Sequence, residues 1–125
     1  MKKGIDKERD LCNYLNFNGY TVVRVAGSGA GTKRDTCDII AGNGTDIYAI
    51  ELKSSSRDNI YIKDKQVKQL IRFAKGFGAI PVIAVKFTYV GYCFLSTKDF
   101  YITDKGNYHI TRDKCKKFVN KMVLT

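Results

Sequence analysis

The sequence is poor in the residues that build zinc sites and disulfide frameworks. It contains one histidine, and its four cysteines lie far apart, with no Cys-x-x-Cys pair. Neither a zinc site nor a set of disulfides is therefore predicted. We expect the cysteines to be small, buried apolar residues of an intracellular protein.

Long hydrophobic runs are also missing. No segment approaches the roughly 18 consecutive apolar residues that a membrane-spanning helix needs, so no membrane partner is predicted. The opening Met-Lys-Lys-Gly-Ile-Asp has no hydrophobic stretch behind it, which argues against a secretory signal. Both features predict an intracellular location.

Positive charge is present in excess. The chain has 22 Lys and Arg residues against 12 Asp and Glu, which gives a formal net charge of +10. Such an excess favours a polyanionic partner, and nucleic acid is the partner expected here. The sequence has no internal repeat and no linker, so residues 1–125 are predicted to form one domain.

The hydrophobic pattern predicts an alternation of helices and strands. The predicted order is a helix over 6–18, a strand over 20–25, a hairpin over 36–53, a loop at 54–57, a short extended piece at 60–62, a helix over 64–77, and strands over 80–87 and 91–95. A final helix is expected behind an N-cap at Thr111, with an apolar stripe of Cys115, Phe118, Val119 and Met122.

The hairpin carries an unusual set of charges. If its turn is centred between Asn43 and Gly44, Asp38 lies opposite Ala49 and one diagonal step from Glu51. Asp38, Glu51 and Lys53 then share one face, because side chains alternate along a strand. The spacing Asp-x12-Glu-x-Lys is typical of metal-dependent phosphodiester cleavage. The structural alternative is a Glu51–Lys53 ion pair at a strand end, with Asp38 as a turn residue.

Two neighbouring segments add candidates. Glu8 falls on the inward stripe of the first helix and could meet the hairpin acids, or it is a first-turn glutamate favoured by the helix dipole. Arg9 points elsewhere and could contact phosphate. The glycine-rich run at 27–31 lacks the ending of a P-loop, so no nucleotide cofactor is predicted. This run is either a linker or a clamp on DNA, with contacts from Ser28, Lys33 and Arg34.

The second helix divides into two faces. Its basic residues are Lys65, Lys68, Arg72 and Lys75, and its apolar residues are Val67, Leu70, Ile71 and Ala74. Phe73 and Phe77, four residues apart, widen the apolar stripe. They belong either to the core or to a subunit interface.

The chain resembles the archaeal Holliday-junction resolvases, including those of archaeal viruses, within the restriction-endonuclease-like nuclease superfamily. The resemblance covers roughly residues 3–97 and is carried by Glu8-Arg9, Arg24-Val25-Ala26-Gly27-Ser28-Gly29, Asp38-Ile39-Ile40, Glu51-Leu52-Lys53 and the stretches 77–87 and 91–92. One departure is Cys37, since such nucleases often have proline before the first metal-binding acid. The tail from Lys98 onward has no match, and its role is open.

The resemblance implies an α/β fold, a mixed sheet flanked by helices, in a homodimer that cuts four-way DNA junctions with Mg²⁺. It implies that Asp38 and Glu51 bind the metal, with the Leu52 carbonyl as a third ligand and Glu8 completing the site directly or through water. Lys53 would orient or deprotonate the attacking water. Hard oxygen ligands suit Mg²⁺, with Mn²⁺ as a substitute.

The resemblance also implies that Ser28 assists cleavage and that Lys86 and Arg9 bind phosphate. One chain holds one set of site residues, so paired cutting in recombination and repair requires two chains, with Phe73 and Phe77 as interface candidates. Two other functions stay open. A restriction- or repair-type endonuclease acting on duplex or mismatched DNA would share every site residue. A non-catalytic DNA-binding module would be expected to lack at least one of the acids.

Overall fold

The structure is a computed structural model that describes residues 4–26 and 34–119. The helices are α1 (Gly4–Phe17), α2 (Asp64–Phe77) and α3 (Arg112–Lys116), and a short 3₁₀ turn spans Thr97–Asp99. The strands are β1 (Thr21–Arg24), β2 (Ile39–Gly42), β3 (Ile47–Ser55), β4 (Asn59–Ile62), β5 (Ile80–Phe87), β6 (Cys93–Leu95), β7 (Tyr101–Ile102) and β8 (Tyr108–Thr111). The strands form a five-stranded sheet with the order β1-β2-β3-β5-β6 and a three-stranded sheet with the order β4-β8-β7.

Most of the predicted elements are confirmed. The helix over 64–77 and the strand over 80–87 have the predicted bounds. The loop predicted at 54–57 is wrong in part, because β3 continues through Ser55. The final helix begins after the predicted Thr111 cap, whose hydroxyl accepts a hydrogen bond from the Lys114 N–H at 3.1 Å. It ends at Lys116, and Met122 lies outside the described residues.

The chain separates into two compact units, and the single domain predicted over 1–125 stays a prediction. The first unit comprises Met1–Glu51 and Leu70–Pro81, and the second comprises Leu52–Gln69 and Val82–Thr125. The boundaries fall inside strand β3 and helix α2.

The first unit has an antiparallel meander of β1, β2 and the first part of β3. Helix α1 buries Leu11 and Leu15 and ends at Phe17. Gly19, in the turn that follows, has a φ of +92°, which suits glycine because it lacks a Cβ. The meander buries Ile39, Ala41, Tyr48, Ala49 and Ile50. The strand predicted to be apolar on both faces therefore lies largely in the core.

The hairpin turn differs from the predicted one. The Asn43 side-chain oxygen accepts hydrogen bonds from the N–H groups of Thr45 at 2.9 Å and Asp46 at 2.8 Å, so the turn has four residues. The register pairs Ile40 with Ala49 and Gly42 with Ile47. The predicted pairing of Asp38 with Ala49 is wrong by two residues, because the prediction used a two-residue loop.

The second unit contains the β5-β6 hairpin, the three-stranded sheet and α3. Residues 98–111, for which the sequence predicted no elements, supply two strands of that sheet and part of the 3₁₀ turn. Its core includes Ile60, Ile62, Phe87 and Ile110. All four cysteines of the chain are free, and three of them are fully buried. No helix within residues 4–26 and 34–119 is long and apolar enough to cross a membrane.

Candidate active site

Asp38 and Glu51 lie next to the last residue pair of the β2-β3 hairpin, and both charges act on Cys37. The Asp38 N–H donates to the Ile50 carbonyl at 3.0 Å, and the Asp38 carbonyl accepts from the Val25 N–H at 2.9 Å. The β2-β3 register ends at the pair Ile39–Ile50, so Asp38 and Glu51 are the next residues along their two chain segments. Because the Asp38 N–H donates to Ile50 and not to Glu51, the regular pairing does not continue to these two residues. Both side chains are half-buried.

The pKa of Cys37 is affected by the charges of both Asp38 and Glu51. Its thiol is buried and donates a hydrogen bond to the Ile39 carbonyl, with the sulfur 3.5 Å from the oxygen. Burial raises the pKa of Cys37 to about 12, and the negative charges of Asp38 and Glu51 act in the same direction against two backbone hydrogen bonds. The thiol is therefore protonated at neutral pH, and the carboxylates are the anionic groups of this site.

Glu8 lies on α1 within electrostatic reach of Asp38. Burial raises the pKa of Glu8 above its ordinary value, and the charge of Asp38 raises it further, while Arg24 opposes both. An Arg24 Nη1 atom lies 3.7 Å from Glu8 Oε1. The predicted inward orientation of Glu8 agrees with this position, and its carboxylate has a cation partner beside the hairpin acids.

Arg24 belongs to one of the segments that carry the resemblance, but the sequence predicted no role for it. It ends β1, where it pairs with Ile39, the residue after Asp38. A single arginine at the end of the otherwise uncharged strand Thr21-Val22-Val23 was the available signal. Its guanidinium partly offsets the local excess of acid.

The donor set suits a hard divalent cation. No three His, Cys, Asp or Glu side chains in the described part of the chain converge in a way that could hold a metal ion. Two carboxylates on adjacent strands nevertheless fit Mg²⁺, which retains several waters and is commonly bound by one or two carboxylates. The site offers oxygen ligands and a protonated thiol, which disfavours soft metals.

Leu52 and Lys53 follow Glu51 on β3 and are half-buried. Lys53 lies two residues after Glu51 on the same strand, a spacing at which the side chains of a regular strand lie on one side. Because β3 continues to Ser55, Lys53 lies within the strand and not at its end.

The other predicted DNA contacts that lie in the described residues belong partly to the first unit and partly to the second. Arg9 and Arg34 are exposed in the first unit. In the second unit, Lys86 donates to the carbonyls of Phe87 at 3.2 Å and Val90, and its ammonium lies 5.9 Å from the centre of the Tyr92 ring. Ser28 and Lys33 lie outside the described residues.

Phe73 and Phe77 form an apolar edge on α2. Their rings are stacked, with centroids 5.6 Å apart and planes inclined by 18°. Phe77 is 50% exposed and Ile80 is 45% exposed, whereas Phe73 is half-buried. The predicted basic residues of α2 are all exposed, and Val67, Leu70 and Ala74 are buried. This edge is therefore only partly covered by the chain itself.

Comparisons with known proteins identify the family. The family model for the archaeal Holliday junction resolvase, Hjc, matches residues 1–121. The chain belongs to the Hjc family. A solved structure of Archaeoglobus fulgidus Hjc, a Holliday junction resolvase, superimposes with a TM-score of 0.81 at 34% identity, covering 90% of this chain and 91% of that one. The predicted α/β, restriction-endonuclease-like fold is confirmed.

Curated relatives carry related names. The crossover junction endodeoxyribonuclease Hjc of A. fulgidus is 43% identical over 84 residues, which is 67% of this chain and 61% of the relative. The Methanocaldococcus jannaschii Hjc is 36% identical over 86 residues, or 69% and 60% of the two chains. A crossover junction endodeoxyribonuclease of Sulfolobus islandicus rod-shaped virus 1 is 36% identical over 63 residues, or 50% and 51%. The chain thus spans about three fifths of the length of the two cellular relatives.

Proposed function

We propose that this protein is a structure-specific endonuclease that cleaves four-way DNA junctions in recombination and repair. The observation that carries the proposal is the grouping of acids beside the end of the β2-β3 pairing: the charges of Asp38 and Glu51 both act on Cys37, and Asp38 also acts on Glu8. Lys53 lies two residues after Glu51 on β3. The family membership and the names of the relatives support junction DNA as the substrate. The protein would encounter junction DNA inside an archaeal cell or a virus-infected host.

The chain's own residues have separable roles in this proposal. Asp38 and Glu51 would hold Mg²⁺, or Mn²⁺ in its place, with the Leu52 carbonyl as a third ligand and Glu8 acting directly or through water. A bound divalent cation polarises the phosphate and increases the acidity of water. Lys53 would orient the attacking water and stabilise the negative charge that develops on the phosphate.

Contacts with the DNA backbone would come from basic and hydroxyl side chains. Arg9 and Arg34 are exposed and available for phosphate contacts. Lys33 and Lys86 are further phosphate candidates, and Ser28 is proposed to assist cleavage. Because Lys86 already donates to two carbonyls, only its remaining N–H group is available to a phosphate oxygen.

A homodimer completes the proposal. Resolution of a junction needs two cuts related by a two-fold axis, and one chain supplies one set of site residues. The edge formed by Phe73, Phe77 and Ile80 supports a self-complementary interface, because two of these side chains are about half exposed in the single chain.

The test is cleavage of a synthetic four-way junction, a matched duplex and a flap, each with Mg²⁺ and with a chelator. We expect paired, symmetric cuts in the junction only when Mg²⁺ is present. Equal cutting of the duplex would contradict junction specificity and favour the restriction- or repair-type alternative. Tight junction binding without cleavage by the wild-type protein would favour the non-catalytic alternative, against which the presence of Glu8, Asp38, Glu51 and Lys53 argues.

A further inference from the structure

A row of aromatic rings crosses the three-stranded sheet of the second unit. The register places Tyr61 of β4 opposite His109 of β8, and His109 opposite Tyr101 of β7. The neighbouring residues Ile60, Ile62 and Ile110 are buried. Because side chains alternate along strands, the three rings lie on the other face of this sheet.

The row combines one stacked pair of rings with one edge-to-face contact. The rings of Tyr61 and His109 are 4.3 Å apart and inclined by 7°, and the Tyr101 ring meets His109 edge to face at 6.4 Å and 81°. The His109 Nε2 atom lies 2.8 Å from Asn59 Oδ1, which fixes the orientation of the imidazole. The rings are therefore held in place before any ligand arrives.

The two tyrosines of the row are largely uncovered by the described chain, whereas His109 between them is half-buried. Tyr61 is 62% exposed and Tyr101 is 65% exposed, although aromatic side chains dominate protein cores. An exposed, pre-oriented aromatic face suits a flat ring that can extend the stack.

The excess of positive charge in the second unit favours nucleic acid as the ligand of this aromatic row. The second unit has thirteen Lys and Arg residues against five acidic residues. Lys63 is exposed two residues after Tyr61, and Lys105 is exposed in the turn between β7 and β8. A nucleobase stacked on the rings would bring its phosphates into a strongly positive field.

We propose that Tyr61, His109 and Tyr101 form a stacking platform for unpaired bases of DNA. Aromatic stacking is tolerant of sequence because every base has a π-face. The platform goes beyond the proposed cleavage function, since it requires neither metal nor a four-way junction. It assigns a role to part of the tail whose purpose the sequence left open.

The test is binding of a short single-stranded oligonucleotide containing 2-aminopurine, measured in a chelating buffer by anisotropy and by 2-aminopurine emission. Binding by the wild-type protein should quench the emission, because stacking on an aromatic ring quenches 2-aminopurine. Tyr61→Ala should weaken affinity by about tenfold and lose the quenching, whereas Tyr61→Phe should retain both. Tyr89→Ala is the matched control, because Tyr89 is fully exposed but lies outside the row.

Tyr61→Leu separates stacking from folding, since leucine keeps an apolar side chain on the strand without an aromatic ring. Circular dichroism should show a folded Tyr61→Leu variant with weakened binding. Unchanged affinity and quenching in the alanine or leucine variant would overturn the platform. A change confined to self-association, seen by sedimentation without loss of oligonucleotide binding, would overturn it in favour of contact with a second copy. Neither outcome bears on junction cleavage, so the platform and the proposed cleavage function are tested separately.

Discussion

The two compact units differ in the charges and side chains that they contribute. The first unit has nine basic and seven acidic residues, and it contains Glu8, Asp38 and Glu51. The second has thirteen basic and five acidic residues, and it contains Lys53, Lys86 and the row Tyr61-His109-Tyr101. A cluster of carboxylates repels DNA phosphates, so affinity has to come from charge elsewhere. The difference indicates that binding and cleavage can be separated by mutation.

The units also differ in how they use arginine. In the first unit, Arg72 makes two hydrogen bonds with Asp35, at 2.9 and 3.0 Å, on the protein surface. In the second, the Arg112 side chain is only 19% exposed. Its guanidinium donates hydrogen bonds to Asp58 Oδ1 at 3.0 Å and to the carbonyls of Ser56 at 3.1 Å, Arg57 at 3.0 Å, and Thr88. Arg112 thus links the segment that follows β3 to the C-terminal part of the chain.

The largest effect is expected for Glu51→Gln. The variant should lose junction cleavage by a factor on the order of 10³ or more, because an essential group of the catalytic step is removed. Junction binding should be unchanged or slightly tighter, since one negative charge near phosphate is gone. Single-turnover cleavage and equilibrium binding, measured side by side, check both expectations. Asp104→Asn, an exposed turn acid in the second unit, is the control and should cut normally.

Arg112→Ala is expected to have the next largest effect. It removes the donor to three exposed carbonyls and a largely buried cation that lies 5.4 Å from the centre of the Phe87 ring. We expect a loss of about 2 kcal/mol in the free energy of unfolding, measured by urea denaturation, because packing of the side chain and charged hydrogen bonds are both lost. Asp58→Asn should cost much less, because the Asp58 side chain is 82% exposed. Equal losses in the two variants would show that the carbonyl contacts of Arg112 contribute little.

Phe77→Asp tests whether the apolar edge of the first unit is an interface. The substitution places a charge on a half-exposed ring position and should weaken self-association by about tenfold or more, with loss of paired cutting. Sedimentation velocity against protein concentration measures the effect. Phe17→Asp is the matched control, because Phe17 is 91% exposed at the end of another helix. A wild-type monomer at micromolar concentration, or a stronger effect at Phe17, would contradict the interface.

The smallest expected effect is the change in thermal stability of the Glu8→Gln variant, and it depends on pH. Because the pKa of Glu8 is raised in the folded protein, the unfolded chain loses this proton at a lower pH than the folded protein does. Ionisation of Glu8 therefore reduces stability as the pH rises through its folded pKa. The variant should match the wild-type Tm at about pH 4 and exceed it at about pH 7. A difference that is the same at both values, or reversed in sign, would contradict this environment for Glu8.

Local sequence signals predicted the framework of the fold well. The helix over 64–77 follows from its two clear faces, and Gly19 and Thr111 mark the ends of helices by known cap chemistry. The register of the hairpin was not determined by these local signals, since Asn43 can begin either a two-residue or a four-residue turn. The observed register differs from the predicted one by two residues, and the shared face of Asp38, Glu51 and Lys53 stays a prediction.

Long-range pairings were less accessible from the sequence. Strands β7 and β8 have two and four residues, too few to establish a period, and β8 pairs with β4 about fifty residues earlier. The Arg24–Glu8 pair joins a helix to a strand and depends on the fold. The roles of Ser28, Lys33 and the other site residues stay predictions, because neither the sequence nor the described structure tests them.

The central claim is that Asp38 and Glu51 together form a divalent-metal site, and Mn²⁺ binding tests it most directly. Titration of Mn²⁺ into the DNA-free protein, followed by electron paramagnetic resonance, reports binding without any need for cleavage. We predict that Asp38→Asn and Glu51→Gln each weaken Mn²⁺ binding by at least about tenfold, while Asp104→Asn leaves it unchanged. Wild-type affinity for Mn²⁺ in both site variants would contradict the claim.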